Sequence, residues 1–257
     1  MEIINLKLKV TNCFLIKCET KYILIDTGYE YEWELFCKKL KDVSVSINEI
    51  SHIILTHHHD DHCGLLNNLL EANKDIRVVM SHLAKDLLLK GENDITHGGG
   101  LVNKRISLLF SLERLISNGK GVVKRTLKFN PYKTRENDIL VKGETQLKDI
   151  GVNLQGKIIE TPGHSIDSIS IMFEDGNSFV GDAAANFLQF AGTKYCVVFI
   201  CDMDEYYNSW RKIISNHAKE IFPAHGRPFN VKKLKANIGK NKRENMVMNL
   251  YSERLER

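Results

Sequence analysis

The stretch Thr56-His57-His58-His59-Asp60-Asp61-His62-Cys63-Gly64 constrains this chain more than any other. It follows directly on the aliphatic run Ile53-Ile54-Leu55. A β-branched run that gives way abruptly to imidazoles and carboxylates reads as a buried strand ending in a polar loop. In an extended segment residues i and i+2 point to the same side, so His57 and His59 can converge on one ion. Asp61 and His62 follow, where Leu65, Leu66, Leu69 and Leu70 begin a helical spacing, and they can face a second ion. Neutral imidazole and carboxylate together suit zinc, and iron nearly as well. The plainer reading is a histidine-rich surface loop, and ligands elsewhere in the chain decide between the two.

Upstream, residues 2–10, 13–18 and 21–26 read as a meander of short strands ending in Ile23-Leu24-Ile25-Asp26-Thr27-Gly28. Trp33, Phe36, Cys37 and Leu40 give 31–40 a helical spacing. A strand over 52–55, a helix over about 62–72, a strand over 76–80 and a helix from about Ser81 continue the alternation of layered α/β architecture. The segment 91–130 differs. Gly98, Gly99 and Gly100 precede Leu101, Val102, Ile106, Leu109, Phe110, Leu112, Leu115 and Ile116, a helical apolar stripe. It predicts an inserted helix, either a Gly-hinged lid with Leu101, Phe110 and Leu115 as candidate walls or a cover over a sheet edge. His97 beside the glycines reads as a loop histidine.

Strands resume over 145–150, 152–154, 157–160, 168–173 and 178–180, the last two joined as a hairpin through Glu174-Asp175-Gly176-Asn177. Residues 203–216 are helical in pattern, 220–222 form a short strand, and 232–257 read as a polar C-terminal helix. With no internal repeat and no Pro/Ser-rich linker, 1–257 reads as one domain.

Composition narrows the function classes. A net charge of +4 over 257 residues is too weak and too dispersed for a nucleic-acid footprint, and the basic segment 232–257 reads as a solvated helix face. No apolar run approaches the roughly 20 residues of a membrane span, and no export signal opens the sequence. Six scattered cysteines therefore read as reduced thiols, with Cys63 a small buried packing residue, and the expected compartment is the cytoplasm.

Three later segments repeat the arrangement of an apolar strand with a metal-type ligand at its end. They are Ile158-Ile159-Glu160-Thr161-Pro162-Gly163-His164-Ser165, Phe179-Val180-Gly181-Asp182 and Ile221-Phe222-Pro223-Ala224-His225-Gly226. Glycine beside each ligand lets backbone approach a crowded centre.

With these segments in place the chain resembles the metallo-β-lactamase fold superfamily over nearly its whole length. The shared signature is His-x-His-x-Asp-His, a His in a Thr-Pro-Gly-His turn, a Gly-Asp and a last His. The resemblance implies an α/β fold, the αββα sandwich, with a helical insertion and a site at one edge where strands end. It assigns His57, His59 and His164 to one metal, Asp61, His62 and His225 to another, and Asp182 to both. Asp26 matches the supporting aspartate of the metal loop. It further implies two divalent ions, zinc first and iron or manganese otherwise. They would lower the pKa of a shared water from about 15.7 towards neutrality, with Asp61 orienting the hydroxide.

Within that family the residues favour some activities over others. His62 stands where the commonest true β-lactamases carry a non-ligand such as Arg. About thirty residues follow His225, short of the helical domain of glyoxalase II enzymes, which share the seven ligands. Ala183-Ala184-Ala185-Asn186-Phe187 stands where acyl homoserine lactonases place a Tyr. The arm of tRNA-processing phosphodiesterases has no match, and flavodiiron reductases replace a histidine by Glu and append a second domain. The expectation is a hydrolase of a small ester, thioester or lactone. The alternative is a single-iron persulfide dioxygenase, with a phosphodiesterase behind both. A homodimer through the apolar stripe of the insertion is a further possibility.

Overall fold

The computed structural model describes residues 1–94, 96–116 and 127–248. Three antiparallel strands come first: β1 (Ile3–Lys7), β2 (Asn12–Cys18) and β3 (Lys21–Ile25). Helix α1 (Trp33–Asp42) leads into β4 (Ile50–Ile54), parallel to β3. Helices α2 (Asp60–Cys63) and α3 (Leu66–Ala72) lead into β5 (Arg77–Ser81), parallel to β4. Then come α4 (Ala84–Lys90), a short β6 (Gly100–Leu101), α5 (Lys104–Ile116) and β7 (Ile139–Val141). The first sheet has the order β1-β2-β3-β4-β5-β7.

The second half begins with β8 (Thr145–Gln146), β9 (Gly156–Glu160), β10 (Ile169–Phe173) and β11 (Asn177–Gly181). It continues through β12 (Phe199–Ile200), α6 (Met203–Ser215), β13 (Glu220–Pro223), β14 (Phe229–Asn230), α7 (Lys232–Asn237) and β15 (Val247–Met248). The second sheet has the order β14-β13-β11-β10-β9-β8.

The period-2 alternation of the strands creates the layers. Phe14, Ile16, Ile23, Ile25, Ile54 and Val79 of the first sheet meet Ile158, Ile169, Ile171, Phe173 and Phe179 of the second in one buried cluster. Their alternate neighbours Leu15, Leu24, Ile53 and Val78 face the other way, onto Phe36, Leu40, Leu66, Leu69 and Leu88 of the helices. On the far side Ile159, Met172, Val180 and Ile221 pack on Tyr206, Tyr207, Trp210, Ile213 and Leu234. Burying each large side chain contributes about 1.5–3 kcal/mol, so the central strands are locked between two apolar contacts and a one-residue slip would exchange them. The result is helix, sheet, sheet, helix, as the αββα expectation holds.

Direction is what matters for function. Strands β9 and β11 both run antiparallel to β10, and β13 runs parallel to β11. In the other sheet β3 and β4 run parallel. The polar segments that follow these strands therefore gather at shared sheet edges.

Several expected elements differ. The C-terminal helix expected over 232–257 stops at Asn237. Gly239 takes φ +75°, a left-handed conformation that ends a helix, and the chain turns inward. Asn241 is then buried, its side-chain amide donating to the Thr193 carbonyl at 2.7 Å, and Val247–Met248 pair with β6. The remaining 249–257 lie outside the described residues. Leu101 is a strand residue, paired with both Phe199 and Val247 in a small sheet of order β12-β6-β15. Leu101, Val102 and Ile106 are buried on the outer face of the second sheet, so this part of the insertion is a cover. Gly99 lies tight against Ile200 and Cys201, where an added Cβ would come within 2.5 Å of the Ile200 carbonyl oxygen, which is no free hinge. Leu115 faces solvent, and 117–126 fall outside the described residues. The helix expected over 62–72 is two helices, broken at Gly64-Leu65, and 147–150 form a 3-10 turn rather than strand. Among the described residues no helix is long and apolar enough to cross a membrane.

Candidate metal centre

Strand β4 runs out at Ile54, the chain bends at Thr56, and His59 is extended just before α2 begins. This brings His57 and His59 to one side, as their spacing requires. The His164 Nε2 atom lies 3.2 Å from His57 Nε2 and 3.0 Å from His59 Nδ1. His164 donates its Nδ1–H to the Phe199 carbonyl at 2.9 Å, so its Nε2 is a bare lone pair. Nitrogens that converge this closely without a proton between them suit a cation at their centre.

A second group stands beside the first. His225 Nε2 is 3.2 Å from Asp61 Oδ2 and 3.3 Å from Asp182 Oδ1. His62 Nε2 is 3.7 Å from both Asp61 Oδ1 and Asp182 Oδ1. The other Asp182 oxygen, Oδ2, is 3.5 Å from His164 Nε2, so this carboxylate faces both groups. His62 Nε2 and Asp182 Oδ1 are buried and have no hydrogen-bond partner. Leaving such atoms unpaired costs about 1–3 kcal/mol each, more for a charged group, and a bound cation removes that cost. The sets His57/His59/His164, His57/His62/Asp182 and Asp61/His62/His225 each have their donor atoms within 4.8 Å of one another, the spacing of groups that could bind metal ions.

Supporting contacts orient these donors. Asp26 closes β3 with φ +57°, a conformation Asp tolerates better than most residues. Its carboxylate accepts the Thr56 backbone N–H at 2.8 Å, the Thr56 hydroxyl at 2.8 Å and His62 Nδ1–H at 2.8 Å. His62 is thereby fixed with Nε2 outward. His225 donates Nδ1–H to the Val10 carbonyl, and Thr11 donates its hydroxyl to Asp61 Oδ2. Tyr206 donates its hydroxyl to the Asp182 carbonyl at 3.0 Å. Gly181, at φ +50°, sits against Thr56, where a Cβ would fall 2.3 Å from the hydroxyl oxygen; for Gly163, at φ +126°, a Cβ would fall 2.4 Å from the Tyr206 backbone. No other residue fits either place.

Charge divides the donors. Burial drives the His57 and His59 imidazoles well below their ordinary pKa, reinforced by the neighbouring imidazoles, and burial lowers His164 too. Burial opposes ionisation of Asp61 and Asp182, yet the imidazoles of His62 and His225 hold both carboxyls below the usual range. Burial likewise opposes protonation of His62, but Asp61, Asp26 and Asp182 raise it to about 9, and His225 is raised by Asp182 and Asp61.

All of His57, His59, Asp61, His62, His164, Asp182 and His225 are thus brought together, with Asp26 behind them. His97 stays away from them, paired with Asp94 on the exposed loop. Cys63 is buried with its thiol on the His58 carbonyl, a packing role. Sequence reasoning missed His58 and Asp167. His58 turns from the donors and gives Nδ1–H to Asp167 Oδ1 at 2.8 Å, while its Nε2 accepts the Asp94 N–H at 2.9 Å. Asp60 and Asn93 exchange two hydrogen bonds beside it. The insertion is therefore fastened to the histidine loop. The available signal was Asp167 itself, a carboxylate just ahead of the apolar strand β10.

A sequence profile of the metallo-beta-lactamase superfamily matches residues 6–225. Among similar curated proteins is a Beta-lactamase-like protein 2 homolog of Caenorhabditis elegans, 27% identical over 221 residues, 85% of this chain and 57% of that protein. The Lactamase-like protein aptB of Emericella nidulans is 26% identical over 227 residues, 86% of this chain and 52% of its own. The chain thus spans little more than half the length of these two relatives. Among solved structures, an archaeal metallo-beta-lactamase superfamily protein of Sulfolobus tokodaii superposes with a TM-score of 0.58 at 20% identity, over 95% of this chain and 85% of that one. A subclass B3 metallo-beta-lactamase of Bradyrhizobium japonicum gives 0.59 at 17%, over 87% and 74%. These structural likenesses show the fold.

Proposed function

The chain belongs to the metallo-beta-lactamase superfamily, and on that premise we propose that it is a metal-dependent hydrolase of a small ester, thioester or lactone. His57, His59 and His164 would hold one divalent ion, and Asp61, His62 and His225 a second, with Asp182 reaching both. Zinc is the first choice for such an imidazole and carboxylate set, with iron or manganese as alternatives. When bound, the ions supply Lewis acidity that acidifies water and polarises a carbonyl oxygen.

The chain's own residues do the remaining work. Asp61, anionic at neutral pH, has one oxygen tied to Thr11 and His225 and presents the other toward His62; it orients the attacking water. Asp26 and Thr56 keep His62 in a single tautomer. The observation that carries the reading is the convergence of the donor atoms of His57/His59/His164 and Asp61/His62/His225, each set within 4.8 Å, with Asp182 facing both. The single-iron dioxygenases of the family tend to keep the same ligand set, so metal content decides between the two readings. All six thiols being free supports a reducing, cytoplasmic setting.

The test is metal content by mass spectrometry on untagged protein purified without chelator or added metal, followed by hydrolysis of thioesters, esters, lactones and a β-lactam. About two zinc or manganese ions per chain with thioester or lactone turnover is the expected result. One iron per chain, with oxygen consumed on glutathione persulfide, would replace the hydrolase by the dioxygenase.

A further inference from the structure

The donor atoms are not equally enclosed, and the difference shows from which side a substrate arrives. The side chains of His225 and Asp61 keep 17% and 13% of their surface, against 4% for His164. The open side of the centre is therefore the His225–Asp61 side. Two stretches of chain border it. One is Val10-Thr11, whose Val10 carbonyl accepts His225 Nδ1–H and whose Thr11 hydroxyl bonds Asp61. The other is Asn186-Phe187, where the Asn186 N–H donates to the His225 carbonyl at 2.8 Å and Asn186 bridges Gly226.

Both stretches expose apolar side chains. Val10 is 42% exposed, Phe187 46% and Phe190 76%. A single exposed hydrophobe needs no explanation, but Val10 and Phe187 lie in the two segments bonded to one ligand, and Phe190 follows on the same loop. The loop that carries the phenylalanines is held in place rather than collapsed. The Thr193 hydroxyl donates to the Phe187 carbonyl at 2.7 Å, and the Asn103 side chain donates to the Ala191 and Gly192 carbonyls. Leu188, at φ +51°, turns inward and packs on the core beneath the second sheet, leaving Phe187 and Phe190 outward. A bulky residue in that conformation is strained, so the outward display of the rings is maintained against a local cost.

We propose that Val10, Phe187 and Phe190 form an apolar platform beside His225 that seats the acyl portion of the substrate. The preferred substrates are then thioesters or esters of medium-length aliphatic or aromatic acids rather than acetyl compounds. This rests on the hydrolase reading for the reaction, while the platform itself is readable without turnover.

Two measurements on the zinc-loaded protein test it. In turnover, octanoyl-N-acetylcysteamine should exceed acetyl-N-acetylcysteamine in kcat/KM by about tenfold or more, and the Phe187→Ala/Phe190→Ala double variant should shrink that ratio toward unity with unchanged metal content. By calorimetry, octanoate should bind more tightly than acetate to the parent protein, and the double variant should lose the difference. Turnover with no chain-length preference overturns the platform and leaves the hydrolase reading standing. No turnover of any thioester, ester or lactone, with the octanoate preference intact and sensitive to the double variant, overturns the hydrolase reading and upholds the platform. No turnover and no octanoate preference overturns both.

Discussion

His57, His59 and His164 meet as three imidazoles on the enclosed side of the centre, whereas Asp61, His62 and His225 set two imidazoles with a carboxylate on its open side. Burial and mutual repulsion strip protons from the first group, so it presents bare nitrogens at neutral pH. In the second group the carboxylates hold protons on His62 and His225 until a cation displaces them. One fold edge thus carries a centre ready for metal and a centre that exchanges protons for metal. An ion should enter the first with little proton release and the second with more.

The largest perturbation is His57→Ala. His57 stands in the His59/His164 set and beside His62 and Asp182, so its loss should remove the first group's metal and abolish activity. Second-neighbour changes typically cost 10–100-fold, and a ligand should cost more than about 100-fold. Full activity and metal content in this variant would overturn the ligand assignment. Next comes Asp26→Asn, which acts through His62 and Thr56. It should weaken zinc at the second group by about 10–100-fold and affect the first much less. Equal weakening of both, read by competition with a chromophoric chelator, would erase the distinction between the groups. The smallest effect is expected from Tyr206→Phe, which removes a hydroxyl that donates to the Asp182 carbonyl and accepts the Val197 N–H. Urea denaturation should show a loss of about 1–3 kcal/mol, because the buried Val197 N–H is left unpaired. A stability within error of the parent would mean that water replaces the hydroxyl.

The donors were legible in the sequence because each is a His or Asp in the polar segment that follows an aliphatic run, and strand ends place such segments at an edge. The central strands were legible by their alternation. What was not legible depended on partners far away in the chain. Leu101 fits a helical stripe as well as a strand, and only Phe199 and Val247 on either side make it a strand. The polar run 232–257 keeps a helical composition past Asn237, and the turn at Gly239 is decided by the burial of Asn241 against Thr193 and Tyr207. His58 looks like its neighbours His57 and His59, and the buried Asp167 carboxylate 109 residues away turns it out of the centre.

The direct test of the two unequal groups is a zinc titration of the metal-free protein at pH 6.5, 8 and 9.5, with binding heats corrected for buffer protonation. His57 and His59 are neutral across that range, so the tighter site should hold nearly constant affinity. His62 is raised to about 9 and His225 is raised as well, so the weaker site should tighten as pH rises across this range, by up to about tenfold per unit for each proton displaced. Two sites with the same pH dependence, or a single site at every pH, would contradict the account.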